Sequence, residues 1–140
     1  MKIFLDANVL VSVANQEYPL FTLSSRILSL ADNPVFEVCT SPLCLGITYY
    51  FSEKKSGNNV AQKKMKLFTD HLSITTLDQK CVQAATSNPQ VSDFEDGMEY
   101  YSAIHSGCEL IVTEDLNDFH FAEIPITNCE GFIQNFYNQS

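Results

Sequence analysis

The chain has 140 residues, a length that suits one domain over 1–140 and suffices to bury a core without disulfides or a structural metal. Apolar residues make up 45% and charged residues 18%, which excludes a disordered chain. A formal charge of −9 argues against duplex binding through bulk charge, but not against a nuclease whose bound metals cancel local negative charge.

Lys2 to Asp6 reads as a short buried strand, and Asn8 to Ala14 as the start of a helix. Leu20, Leu23, Ile27, Leu28 and Ala31 have helical spacing, and Asp32-Asn33-Pro34 stops that helix. Val35 to Thr40 is the second strand. Ser41 and Pro42 then open a helix as N-cap and first helical residue, running to about Lys55 and closed by Ser56-Gly57-Asn58-Asn59. Val60 to His71 is a further helix. Leu72 to Leu77 alternates as a third strand, and Asp78 caps a helix to about Ser87. Phe94 to His105 is helical, with Gly107 placed to close it. Leu110 to Thr113 is the fourth strand. Ile124-Pro125-Ile126 is an edge strand, since proline is excluded from a central one. Glu130 to Tyr137 is a final helix. This alternation predicts a three-layer α/β/α sandwich around a mostly parallel sheet of four to five strands.

No stretch approaches the ~20 apolar residues of a bilayer span. Lys2 and the apolar run after it faintly resemble a leader, but Asp6 and Asn8 break the run, so a cytoplasmic protein is expected. The cysteines (Cys39, Cys44, Cys81, Cys108 and Cys129) are odd in number and lack C-x-x-C spacing. They read as buried reduced thiols.

Ligands of open parallel sheets bind beyond the carboxyl ends of the strands. Strand one ends at Asp6, and strand four at Thr113, followed by Glu114, Asp115 and Asp118. The helix feeding strand four opens with Asp93, Glu95 and Asp96. Three distant segments thus bring acids to one sheet edge, and carboxylates crowded together generally serve a hard cation such as Mg²⁺ or Mn²⁺. Each acid also has a local use. Asp6 suits a helix cap, Asp93 and Asp96 suit a helix dipole, Asp115 and Asp118 suit a turn, and Glu114 suits solvent. Thr113 suits either a cap or the orientation of a metal-bound water. From Asp93 onward there are ten acids and no Lys or Arg, while Lys54, Lys55, Lys63, Lys64 and Lys66 cluster earlier. Those lysines form either a solvated helix face or a hold on an RNA backbone.

Three segments carry a family resemblance. Phe4-Leu5-Asp6-Ala7-Asn8-Val9-Leu10 resembles the opening motif of PIN-domain proteins, the family that includes VapC-type toxins. Asp93-Phe94-Glu95-Asp96-Gly97-Met98 with Ala103 resembles its third acidic motif, and Ile111 to Phe119 its fourth. The order and spacing agree across essentially the whole chain. The resemblance implies an acidic Mg²⁺/Mn²⁺ pocket, metal-dependent endoribonuclease activity, frequent dimerisation and, in bacterial toxins, an antitoxin partner. Carried over, Asp6, Asp96, Asp115 and Asp118 become metal ligands and catalytic acids. Asn8 supports them by hydrogen bonding, and Asp93 is an extra acid one turn before Asp96. The second motif departs from the pattern: Thr40 to Tyr50 fits the frame, but Gly46 stands where a Glu is expected. Glu53 lies about 10 Å further along the same face, at 1.5 Å rise per residue.

Three functions follow as expectations. The first is a PIN-like Mg²⁺- or Mn²⁺-dependent ribonuclease acting on RNA, plausible as the toxin of a toxin–antitoxin pair. The second, motivated by Gly46, is a PIN-fold module that binds RNA or protein without cutting. The third, a haloacid dehalogenase-type phosphatase, needs an acid where Asn8 stands and a catalytic lysine for which only Lys80 is roughly placed. Tyr49-Tyr50-Phe51 reads as a core stripe in preference to a dimer face.

Overall fold

The computed structural model describes residues 1–137. Five strands form one sheet: β1 (Lys2–Leu5), β2 (Glu37–Thr40), β3 (Ser73–Ile74), β4 (Leu110–Val112) and β5 (Ile126–Thr127). Their spatial order is β3-β2-β1-β4-β5, and every pairing is parallel. Ile3 sits between Val38 and Leu110, so β1 is central. Ile3, Phe4 and Leu5 are all fully buried. Successive strand side chains point to opposite faces, so both faces of the sheet are covered. The helices are α1 (Ala7–Ala14), α2 (Leu20–Leu28), α3 (Pro42–Ser56), α4 (Asn58–His71), α5 (Gln79–Ser87), α6 (Phe94–His105) and α7 (Cys129–Asn135). No helix among the described residues is long and apolar enough to cross a membrane.

Local chemistry explains most boundaries. Asp6 ends β1 in an extended conformation and caps α1. Ser41 Oγ accepts from Cys44 N with Pro42 at the first helical position, and Asp78 and Asp93 cap α5 and α6. Gly57, at φ +86°, joins α3 to α4 so tightly that α4 starts at Asn58, two residues before the predicted Val60. Gly107 closes α6 at φ +83°. All five cysteines are buried and free, as expected.

Some expectations change. The third strand shrinks from Leu72–Leu77 to Ser73–Ile74. Thr75 is drawn inward, its hydroxyl bonded to Ser102 Oγ at 2.7 Å, and Thr76 N donates to Ser106 Oγ. The edge strand falls at Ile126–Thr127, while the Pro125 carbonyl still accepts from Ile111 N. The aromatic stripe is not core: Tyr50 and Phe51 are 56% and 45% exposed. The buried side of α3 is Cys44, Thr48 and Ser52, spaced by four, and helical phase puts Tyr50 and Phe51 outside that row.

The chain leaves β1 for β2 and β3 on one side, then returns to β4 on the other. The strand order therefore reverses between β1 and β4. A crevice opens at such a point beyond the carboxyl ends of the strands. Asp6 and Thr113, the residues directly after β1 and β4, flank it.

Candidate metal centre

Asp6 is the anchor of this crevice and is 6% exposed. Its Oδ1 accepts from Ala7 N at 2.6 Å, and its Oδ2 accepts from Thr113 Oγ1 at 2.7 Å. The capping and site readings of Asp6 therefore coexist, one on each oxygen. Thr113 is buried, and its Oγ1 also accepts from Asp115 N at 3.1 Å and Asn8 Nδ2 at 3.2 Å. Asn8 Nδ2 further reaches Asp115 Oδ2 at 3.1 Å, and Asn8 Oδ1 accepts from Glu114 N at 3.2 Å. Asn8 and Thr113 thus tie the turn after β4 to the start of α1.

The opposite wall is the first two turns of α6. Asp93 Oδ1 accepts from Asp96 N at 3.1 Å, fixing the helix start and placing Asp96 inward. The resulting cleft, about 420 Å³, is lined by Asp6, Asn8, Asp93, Asp96, Asp115 and Asp118, so the predicted acids do converge. Glu17 and Glu95 join its rim. Neither Lys nor Arg is among its lining residues.

The electrostatics follow from that imbalance. Burial first, then the charges of Asp93, Asp118, Asp6 and Asp115, push the Asp96 carboxyl from 3.8 up to about 7. Asp118 is also raised, by desolvation and then by Asp115, Asp93 and Asp6. Asp118 acts more strongly on Asp96 than Asp115 does. Asp115 belongs instead to the Asn8–Thr113 network beside Asp6.

Glu99 is the residue that sequence reading missed. It lies one turn beyond Asp96 on α6, is 2% exposed and lines the same cleft. Burial, the charge of Asp6, a hydrogen bond to Asp6 and the charge of Asp96 raise its carboxyl from 4.5 to about 11. Its Oε2 is buried without a hydrogen-bond partner. The available signal was the spacing Asp93, Asp96, Glu99, three residues apart twice, which shares one helix face.

The α3 wall also differs from expectation. Gly46 is not among the residues lining the acidic cleft. It is exposed in an adjoining groove that shares Ile47, Phe51 and Glu95 with the cleft, and a Cβ there would touch nothing within 4 Å. Ile47 and Phe51 are the α3 residues in the cleft, so the position without an acid is Ile47. Glu53, a turn and a half further along α3, is not among the lining residues. Glu114 is not simply solvated: its Oε2 accepts from Cys129 N at 2.8 Å at the start of α7.

The lysines lie outside the cleft lining. Lys55 Nζ donates to the Asn15 carbonyl, tying α3 to the end of α1. Lys54 stands 5.7 Å over the Tyr50 ring, and Lys66 pairs with Asp70 at 2.5 Å. Lys63 is exposed and Lys64 half-buried on α4. Lys80 lines a separate groove with Thr76, Asp78 and His105, so it cannot serve chemistry at Asp6.

An oxygen-only donor set, an excess of negative charge and a buried carboxylate oxygen without a partner fit a hard divalent cation. A parallel α/β fold with an acidic crevice at its switch point is an arrangement suited to holding a ligand or a divalent cation beyond the strand ends. The chain belongs to the PIN domain family, whose sequence profile matches residues 2–117. It is 23% identical over 139 residues to "Ribonuclease VapC1" of Aquifex aeolicus (strain VF5), covering 96% of this chain and 95% of the relative. Its fold is similar to VapBC2 from Rickettsia felis, solved bound to a DNA fragment from their promoter. The TM-score is 0.70 at 19% identity, over 91% of this chain and 98% of that one. It is also similar to Mycobacterium tuberculosis VapC20, described as a Sarcin-Ricin loop cleaving toxin. There the TM-score is 0.66 at 16% identity, over 87% and 98% of the two chains. VapBC-1 from nontypeable Haemophilus influenzae matches at TM-score 0.68 and 11% identity, over 93% and 99%.

Proposed function

We propose that this chain is a divalent-cation-dependent endoribonuclease and the toxin of a toxin–antitoxin pair, acting in the cytoplasm. The observation that carries the reading is the convergence of Asp6, Asp96, Asp115 and Asp118 on one cleft that no basic side chain lines. The ribonuclease name of one relative and the toxin description of a fold neighbour support the substrate class.

Asp6, Asp96 and the Asp115/Asp118 turn would hold Mg²⁺ or Mn²⁺. When bound, such an ion lowers the pKa of a water and neutralises charge developing on the scissile phosphate. The protein's own contribution is orientation. Thr113 Oγ1 fixes Asp6 Oδ2, and Asn8 Nδ2 fixes Asp115 Oδ2, so neither carboxylate must be ordered during reaction. Asp93 fixes the α6 start and thereby Asp96. The Asp96 carboxyl, raised to about 7 by burial and its acidic neighbours, would have to give up its proton to hold a cation. Ile47 and Phe51 provide an apolar wall. RNA reaches the open cleft with its backbone on Lys54, Lys63, Lys64 and Lys66, whereas Lys55 serves mainly to hold α3 on α1. An antitoxin segment competes for the same cleft, and exposed Tyr50 and Phe51 supply a homodimer face.

The test is cleavage of a structured RNA by the purified chain in Mn²⁺, beside an EDTA control and Asp96→Asn. Loss in both controls is expected. Cleavage that survives both sinks the assignment. The second reading, binding without cleavage, is favoured by Ile47, which leaves α3 without an acid in the cleft. It predicts RNA binding, no cleavage with any metal, and no rise in melting temperature in millimolar Mn²⁺.

A further inference from the structure

Beyond Asp6, Asp96, Asp115 and Asp118, the cleft is lined by Glu17, Asp93, Glu95 and Glu99, and of these Glu99 alone is buried. Glu99 is almost completely enclosed, yet nothing positive faces it and its Oε2 accepts no hydrogen bond. A buried carboxyl oxygen with neither a donor nor a cation is costly, and the Glu99 Oε2 is in that position, so it calls for a ligand. Its ligating oxygen, an Asp6 oxygen and Cys44 Sγ lie within 4.8 Å of one another. Asp96 shares the α6 face with Glu99 one turn earlier. The Cys44 thiol is a soft donor in a site otherwise built from oxygens, so it is a neighbour and not a ligand for a hard ion. On the facing helix, the side chains reaching the cleft are Ile47 and Phe51, neither of which can ligate.

We propose that Glu99 is a ligand of the divalent cation, supplied by α6 in place of the acid that α3 lacks at Ile47, so that α6 contributes Asp96 and Glu99 together. This rests on the reading of the cleft as a cation site. It makes the site lopsided: α6 supplies two carboxylates one turn apart, the β1 and β4 ends supply the rest, and α3 supplies only an apolar wall.

The test is calorimetric titration of Mn²⁺ into the wild-type chain, Glu99→Gln and the double variant Ile47→Glu/Glu99→Gln, with melting temperatures measured in EDTA. Wild type is expected to bind Mn²⁺. Glu99→Gln is expected to bind at least tenfold more weakly, while a melting temperature in EDTA close to that of wild type shows that the variant folds. The double variant, with its acid moved back to α3, is expected to recover at least part of the lost affinity. Glu99→Gln binding Mn²⁺ as tightly as wild type overturns the inference and leaves Glu99 a buried protonated acid hydrogen-bonded to Asp6. Wild type failing to bind Mn²⁺ overturns the cation site itself, a separate failure. Glu99→Asp guards against misfolding of the amide variant: it retains the charge on a shorter arm and should bind between wild type and Glu99→Gln. Equal affinity for all variants counts against the inference.

Discussion

Thr113 Oγ1 donates a 2.7 Å hydrogen bond to Asp6 Oδ2 across 107 positions of sequence. This bond joins the ends of β1 and β4, the two strands between which the sheet order reverses. The same hydroxyl accepts from Asn8 Nδ2 and Asp115 N, so one oxygen organises both sides of the crevice. A threonine that by sequence suited either a helix cap or the orientation of a metal-bound water is the centre of a buried network.

Thr113→Val removes that hydroxyl while keeping the shape. Loss of a buried hydrogen bond to a charged acceptor should lower stability by about 1–3 kcal/mol. Urea denaturation measures it. Mn²⁺ affinity should fall too, because Asp6 and Asp115 lose their shared partner. A variant as stable as wild type would show that water replaces the hydroxyl.

The raised carboxyls set a pH dependence with a definite sign. Between 3.8 and about 7 the folded chain keeps the Asp96 proton that the unfolded chain has released. For Glu99 the corresponding window runs from 4.5 to about 11. Where the native state binds more protons, stability falls as pH rises. The melting temperature in EDTA should therefore decline from pH 5 to pH 8, after allowance for other groups by comparison with Asp96→Asn. Saturating Mn²⁺ should flatten the decline, since it binds the deprotonated acids. An Asp96→Asn variant with the same slope as wild type removes Asp96 from this account.

Gly46 sits in an exposed helix interior with open space where a Cβ would go. Gly46→Ala should raise stability by about 0.5–1 kcal/mol through the cost of glycine in a helix. Mn²⁺ affinity should not change, and Gly46→Glu should not improve it either, because Gly46 lies outside the lining of the acidic cleft. A tighter Mn²⁺ site in Gly46→Glu would restore Gly46 as the missing-acid position.

The lysines separate into two kinds. Lys55→Ala should destabilise the chain, because its ammonium donates to the Asn15 carbonyl. Lys63→Ala and Lys64→Ala should leave stability nearly unchanged. They should weaken RNA binding and reduce the slope of log affinity against log salt by about one for each phosphate no longer neutralised. Filter binding across a salt series would show this. Unchanged slopes return the α4 lysines to an ordinary solvated face.

The sequence alone carried the alternation of strands and helices, because hydrophobic runs and the caps Ser41, Asp78 and Asp93 act locally. It also carried Asp6, Asp96, Asp115 and Asp118, since acids at strand ends and a helix start are visible as motifs. What it did not carry depends on helical phase and on the packing of distant segments. One residue of phase, about 100° of rotation, separates Gly46, which the cleft lining lacks, from Ile47, which lines both the cleft and the adjoining groove. The same phase buries Cys44, Thr48 and Ser52 and leaves Tyr50 and Phe51 exposed. Glu99 sits in a mixed polar and aromatic helix whose letters do not announce a buried acid. Only the packing of α6 against the end of β1 brings it to Asp6. Lys55 on Asn15 and Glu114 on Cys129 are likewise products of assembly. Local propensity thus determined the elements and the first acids. The tertiary structure decided which faces meet, because burial and charge are properties of the assembled crevice.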